Sequence, residues 1–257
     1  MFGKNLLLLG AVATALFFLP ASAAPMVVKT YSQEGFEAKY APGSTQRPGI
    51  CIEIMRAIEK LDPGVKFIGV DEMATTARVE EGLTHGQIDV FFGHIKTPDR
   101  AARFVFSGPY LYKINQVLVA RKDDTVQVND WDDVRKLGAN GVVLAVKGIG
   151  QVDYLKSLGG IIVDDNSRLI SANLKKLVAG RGRFYYGSEN SVREAIEKLG
   201  MESQVRILPK RFQKEAIYVS FSRKAPPELV NRINEDLARL ERNGELRKIR
   251  TRYQVGH

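Results

Sequence analysis

The stretch "GHIKTPDRAARFVFSGPYLY", Gly93 to Tyr112, decides how this chain is read. The apolar run "IDVFFG" before it has the length of a buried strand and ends on Gly93. Thr97 and Pro98 then open a helix. A threonine hydroxyl accepts from free first-turn amides, and proline at the first helical position lacks the N–H that would go unpaired. The stretch is therefore a strand running straight into a capped helix. Arg100 stands in that helix's first turn, where its charge opposes the helix dipole. An arginine so poorly placed for helix stability raises the question of whether it holds something.

Working outward, strand-like and helix-like segments alternate. "ICIEIMRAIEKL" carries Ile50, Ile54, Ile58 and Leu61 at helical spacing. "ARVEEGLTHG" reads as a helix stopped at Gly86, and "VNDWDDVRKLG" as one stopped at Gly138. "RFYYGS" and then "ENSVREAIEKLG" read as strand and helix. "VRILPK" and "AIYVSFS" read as two separate strands. The closing helical stretch, from "PPELV" to "IRTRY", breaks near Asn243-Gly244. Alternation of this kind implies α/β architecture with mostly parallel sheets flanked by helices. No Pro/Gly/Ser-rich tether interrupts it, so two lobes would have to be joined through strands.

Length and composition fit. The chain has 257 residues, 44% of them hydrophobic and 26% charged, enough for one large domain or two lobes with their own cores. Lys4, the apolar run "LLLLGAVATALFFL" and the small-x-small site "ASA" read as a secretory signal peptide over residues 1–23, cleaved after Ala23. The mature protein is expected to be periplasmic. Cys51 is the single cysteine, so no internal disulfide forms, and its apolar setting suits a small packed hydrophobe. The formal charge of +9 falls to +8 on loss of Lys4. The basic residues are spread along helices without interleaved aromatics, which argues against nucleic acid.

Motifs for other chemistries are weak. "VKGIGQVDYL" offers Gly148-x-Gly150 after a strand, but the third glycine position of a dinucleotide fingerprint is Asp153. His85, His94 and His257 lack metal-ligand spacing. No cofactor is expected. The turn around Gly148 still aims backbone amides beyond its strand.

"EEGLTHGQIDVFFGHIKTPDRAARFVFSGPYLYKINQVLVARK" resembles the periplasmic solute-binding proteins of family 3, the polar amino-acid receptors of ABC importers. The matching positions are Leu83, Gly86, Asp89, Thr97, Arg100, Phe106, Ser107, Pro109 and Tyr110. "RPGICIEIMRAIEK", "VNDWDDVRKLGANGVVLAVKG" and "LARLERNGELRKIRTRY" add matches in the same order. The resemblance implies a type II periplasmic-binding-protein fold, two α/β lobes around a ligand cleft. Lobe 1 would be 25–115 plus 215–257 and lobe 2 would be 116–214, with hinges near 113–116 and 211–215. It implies that Arg100 grips a ligand carboxylate. It further points to Tyr31, Arg78, Gly93, His94, Lys96, Gly148, Ile149, Ser188 and Glu189 as ligand-binding positions. The turn before Thr97 is not the serine-rich one of the amino-acid receptors. Their ammonium-binding aspartate is replaced by Ser188 with Glu189 beside it. The expected function is a monomeric, non-enzymatic receptor that closes on a small molecule and docks on a membrane permease. The alternatives are a small-carboxylate dehydratase on the same fold, with Glu189 as its acid or base, and a sensory ligand-binding module.

Overall fold

The computed structural model describes residues 24–256. Residues 1–23, read above as a signal peptide, and His257 lie outside the described residues. Among the described residues no helix is long and apolar enough to cross a membrane.

The chain begins with β1 (Met26–Lys29) and β2 (Ser32–Gln33), then α1 (Ile50–Leu61). β3 (Val65–Ile68), β4 (Met73–Ala74), α2 (Thr76–His85), β5 (Val90–Ile95) and α3 (Pro98–Arg103) follow. The long strand β6 (Tyr112–Arg121) leads to α4 (Trp131–Lys136), β7 (Val143–Val146), α5 (Gly150–Ser157), β8 (Val163–Ser167), α6 (Ile170–Val178), β9 (Phe184–Ser188) and α7 (Glu189–Leu199). A second long strand, β10 (Val205–Phe221), returns to α8 (Pro227–Arg242) and α9 (Glu245–Arg252).

Local chemistry accounts for the boundaries. α1 buries Ile50, Ile54 and Ile58, as their spacing predicts. The Thr97 hydroxyl accepts from the Arg100 amide, and Pro98 is the first residue of α3. α2 ends on Gly86 in the left-handed conformation, and Gly244 separates α8 from α9 in the same way.

β1 pairs parallel with β3, and β2 with β4. A six-stranded sheet runs in the order β5-β10-β6-β9-β7-β8. Its β7–β8 and β7–β9 pairs are parallel, as βα alternation implies. Its centre is antiparallel, because β6 and β10 run against each other across the middle of the molecule. The expected gap between "VRILPK" and "AIYVSFS" does not break the strand. β10 passes through the polar segment "KRFQKE" as one 17-residue element, and register shifts between Ile207 and Gln213 absorb the irregularity.

Two hydrophobic cores result. Val28, Ile54, Phe91, Phe92, Phe221 and Leu237 belong to the first. Leu118, Trp131, Leu144, Leu174, Tyr185 and Tyr186 belong to the second. β6 gives Tyr112 and Ile114 to the first core and Leu118–Ala120 to the second; β10 gives Ile217 to the first and Leu208 to the second. The architecture is thus a two-lobed α/β fold whose lobes share two strands. The chain crosses between cores without a tether, through paired backbone. Phe36 lies in the chain segment of the first lobe but packs into the second core, so the lobes touch.

Candidate functional site

The ends of β5, β7 and β9 meet between the two cores. A cavity of about 20 Å³ remains there. Its first-lobe wall includes Gln33, Phe36, Lys39, Gly93, His94 and Arg100. Ile149, Gly150, Gln151 and Ser188 face them from the second lobe.

Arg100 is 6% exposed. Its Nε and Nη2 donate to Glu80 Oε1 at 3.0 and 2.8 Å, and Nη1 donates to the Ile95 carbonyl at 3.3 Å. Glu80 also accepts from Arg103 Nη2. The guanidinium is therefore held by α2, with Nη1 turned toward the second lobe. A methyl group on Gly150 would stand 3.6 Å from that nitrogen and 3.3 Å from Thr97 Cγ2. Gly150 is the first residue of α5, which has no side-chain cap. First-turn amides of a helix lack intrahelical acceptors, so α5 points free N–H groups and a positive dipole end at the cleft. Ser188 precedes α7 in the same uncapped manner. Guanidinium, free amides and helix ends converge from both lobes, which is anion-binding chemistry.

Gly93 makes its contribution through the backbone. It is the extra residue of a bulge in β5, since His94 pairs with Tyr218 and Phe92 with Val219. Its φ of 129° is one that glycine adopts readily and other residues rarely do. The bulge frees its carbonyl, which accepts from Lys39 Nζ at 3.0 Å. Lys39 Nζ also donates to Gln33 Oε1 at 3.3 Å and lies 4.9 Å from the Phe36 ring centre. Burial lowers the Lys39 pKa to about 8; Cys51 opposes the shift and Arg100 adds to it.

His94 reaches the cavity wall, but its ring packs beside Phe91 and Phe104, and Nδ1 shares a 2.8 Å hydrogen bond with Ser220 Oγ. Its Nε2 is buried without a partner. Burial, with Arg100 and Lys39 nearby, pushes its pKa well below the ordinary histidine range, so the ring is neutral.

Glu215 is the carboxyl that sequence reasoning missed. It lies on β10 and accepts from Gln116 Nε2, while Gln116 Oε1, on a residue with no exposed surface, is left unpartnered. Burial raises the Glu215 pKa, against the opposing pull of the Gln116 bond, Lys39 and Arg100. No local pattern marks Glu215 or Gln116. They lie 99 positions apart and meet only because β6 and β10 pair.

The other expected positions are spread out. Ile149 is buried at the cavity; Gly148 before it is exposed. Lys96 is exposed beyond β5. Arg78 is exposed, with its guanidinium 5.5 Å from the ring centre of the half-buried Tyr31, and neither residue borders the cavity. Glu189 lies in a separate groove of about 1070 Å³, lined in part by Arg47, Arg193 and Arg211. Burial opposes its ionisation, but hydrogen bonds from Arg211 and Arg193 prevail and hold its carboxyl below the usual range. That groove is much larger than the cleft cavity, yet its Glu189 carboxylate is already paired with two arginines. The cleft, where the Arg100 guanidinium faces the uncapped start of α5, is the candidate site for an anion.

The bacterial extracellular solute-binding protein model, family 3, matches residues 29–256. Among solved structures, a histidine kinase sensor domain with similarity to periplasmic binding proteins is similar at TM-score 0.73 and 19% identity, covering 91% of this chain and 97% of that one. The substrate-binding protein of an amino acid ABC transporter gives 0.71 and 18%, covering 89% and 99%. The GluR0 ligand-binding core from Nostoc punctiforme, in complex with L-glutamate, gives 0.68 and 16%, again covering 89% and 99%. No curated protein matches.

Proposed function

Because this chain belongs to the bacterial extracellular solute-binding proteins of family 3, we propose that it is a non-enzymatic receptor for a small carboxylate-bearing solute and delivers it to the membrane permease of an ABC importer. Residues 25–115 and 215–257 form lobe 1 and residues 116–214 form lobe 2. The hinges lie near 113–116 and 211–215. The receptor acts in the periplasm after loss of residues 1–23. The observation that carries this reading is the buried Arg100 guanidinium, its Nη1 facing the uncapped start of α5 across the cleft. A carboxylate placed between them takes charge-assisted bonds from both lobes, and so favours the closed arrangement by differential affinity.

A cavity of about 20 Å³ is close to the space one water needs. Ligand therefore enters with the lobes apart and is enclosed as they close. The test is a thermal-shift screen of small carboxylates and amino acids. A ligand at 100 times its Kd stabilises by about 2.7 kcal/mol, a visible rise in Tm.

Gly150→Leu probes closure separately from folding. Gly150 has no positive φ to preserve, but it is buried, and an added Cβ would meet Thr97, Arg100 and Ile95 of the other lobe at 3.3, 3.6 and 3.9 Å, so a leucine fits only with the lobes further apart. The unliganded protein is expected to lose no more than about 3 kcal/mol, the range for overpacking a buried contact. Ligand-induced stabilisation should disappear, because the leucine fills the space that closure needs. Equal ligand shifts in the variant and the parent protein would contradict closure at this contact.

A further inference from the structure

We infer that Lys39 sets the specificity of this cleft: its ammonium occupies the cation cradle, so the ligand is a small carboxylate without an amino group, such as a dicarboxylate. The inference rests on the receptor reading above and narrows its ligand class.

A buried ligand ammonium needs acceptors, an aromatic face or a counter-ion. The cleft wall supplies these as the Gly93 carbonyl, Gln33 Oε1 and the Phe36 ring, and Lys39 Nζ engages all three. The remaining counter-ions near the cleft are committed. Glu80 is held by Arg100 and Arg103, and Glu189 by Arg193 and Arg211. Glu215 accepts a hydrogen bond from Gln116 and is already set against the charges of Lys39 and Arg100. A second ammonium would meet the charges of Lys39 and Arg100, and the polar atoms still unpartnered near the cleft, Gln116 Oε1 and His94 Nε2, carry no compensating charge. An ammonium has three donors, and Lys39 uses two on the protein. In the proposed complex the third donates to an acceptor on the ligand. Arg100 and Lys39 thus present two cationic donors to one small space, a match for a molecule with an anionic or polar oxygen group at each end.

The test is calorimetric titration with matched pairs that differ by one amino group: succinate against aspartate, glutarate against glutamate, propionate against alanine. The parent protein is expected to bind the amine-free member of at least one dicarboxylate pair about tenfold or more tighter. Lys39→Met should weaken that binding by about tenfold or more and narrow or reverse the preference within the pair. Lys39→Gln, which keeps a donor without the charge, serves if the methionine variant does not fold; its unliganded Tm is the folding control.

Affinity for the dicarboxylate should also fall by about tenfold between pH 7 and 9.5, as the ammonium loses its proton. Lys39 is charged below its pKa of about 8 and neutral above it. Of the groups around it, Cys51 on α1 is pushed by burial to about 11, His94 on β5 is already neutral, and a further neighbour is the Arg100 guanidinium on α3. Glu215 on β10 only becomes more ionised as pH rises, which weakens anion binding in the same direction.

Aspartate bound as tightly as succinate by the parent protein, with both lost in Arg100→Ala, overturns this inference and leaves the receptor reading standing. Failure of every carboxylate to bind, or binding indifferent to Arg100, overturns both.

Discussion

Arg100→Ala is expected to abolish the ligand-induced rise in Tm and to weaken binding of any carboxylate by about a hundredfold or more, since truncating one partner of a buried charge pair costs about 2–5 kcal/mol. The guanidinium is almost fully enclosed and already oriented by Glu80 and the Ile95 carbonyl. No ordering of the side chain therefore has to accompany binding, and the full contact is lost when it is removed. The fold should suffer less. Glu80 loses Arg100 but keeps Arg103, so the unliganded protein should lose about 2 kcal/mol or less, below the 3–5 kcal/mol typical of an orphaned buried charge. Arg100→Lys retains the charge without the fork and should fall between the two. Calorimetry and thermal melts on the same samples separate binding from folding. A carboxylate bound equally by Arg100→Ala would refute the assignment.

Gly49→Ala should have the largest effect on stability, about 4 kcal/mol, from a strained positive φ and a backbone overlap acting together. Gly49 has a φ of 99°, and an added methyl group would stand 2.3 Å from the Lys39 carbonyl oxygen and 2.5 Å from the Tyr40 amide nitrogen. Nothing there is a flexible side-chain end that could swing away. The contact is tight because α1 has no side-chain cap. Its first amides, of Ile50 and Cys51, donate instead to the carbonyls of Ala38 and Lys39. The helix start and the loop that carries Lys39 hold each other, so the substitution should also disturb the cleft. Chemical denaturation is the measurement, and a loss under about 1 kcal/mol would show that the loop yields more easily than this packing implies.

How much of this was legible in the sequence depends on distance along the chain. Thr97, Pro98 and Arg100 act within one turn of each other, and the structure places the cap and helix start where that local chemistry puts them. The same holds for the isoleucine stripe of α1 and the glycine stops at Gly86 and Gly244. By local pattern alone β10 reads as two strands, because "KRFQKE" lacks an apolar face. Pairing with β6 overrides that local polarity, and the bulges take up the misfit.

Lys39 had no signal at all. It sits in an irregular segment without period, and its partner Gly93 is 54 positions away. Glu80 reaches Arg100 across 20 positions, through the packing of α2 beside β5. Glu189 shows the opposite case. Its spacing to Arg193 is that of a helical ion pair, visible in the sequence, and the structure forms that pair and adds Arg211.

The most direct test of the account is a crystal structure of the mature protein with succinate at saturating concentration. The account predicts one carboxylate between Arg100 Nη1 and the first amides of α5, with the other end toward Lys39 Nζ. Succinate lodged instead beside Arg211 and Arg193 in the large groove, with the cleft between the lobes unchanged, would contradict it.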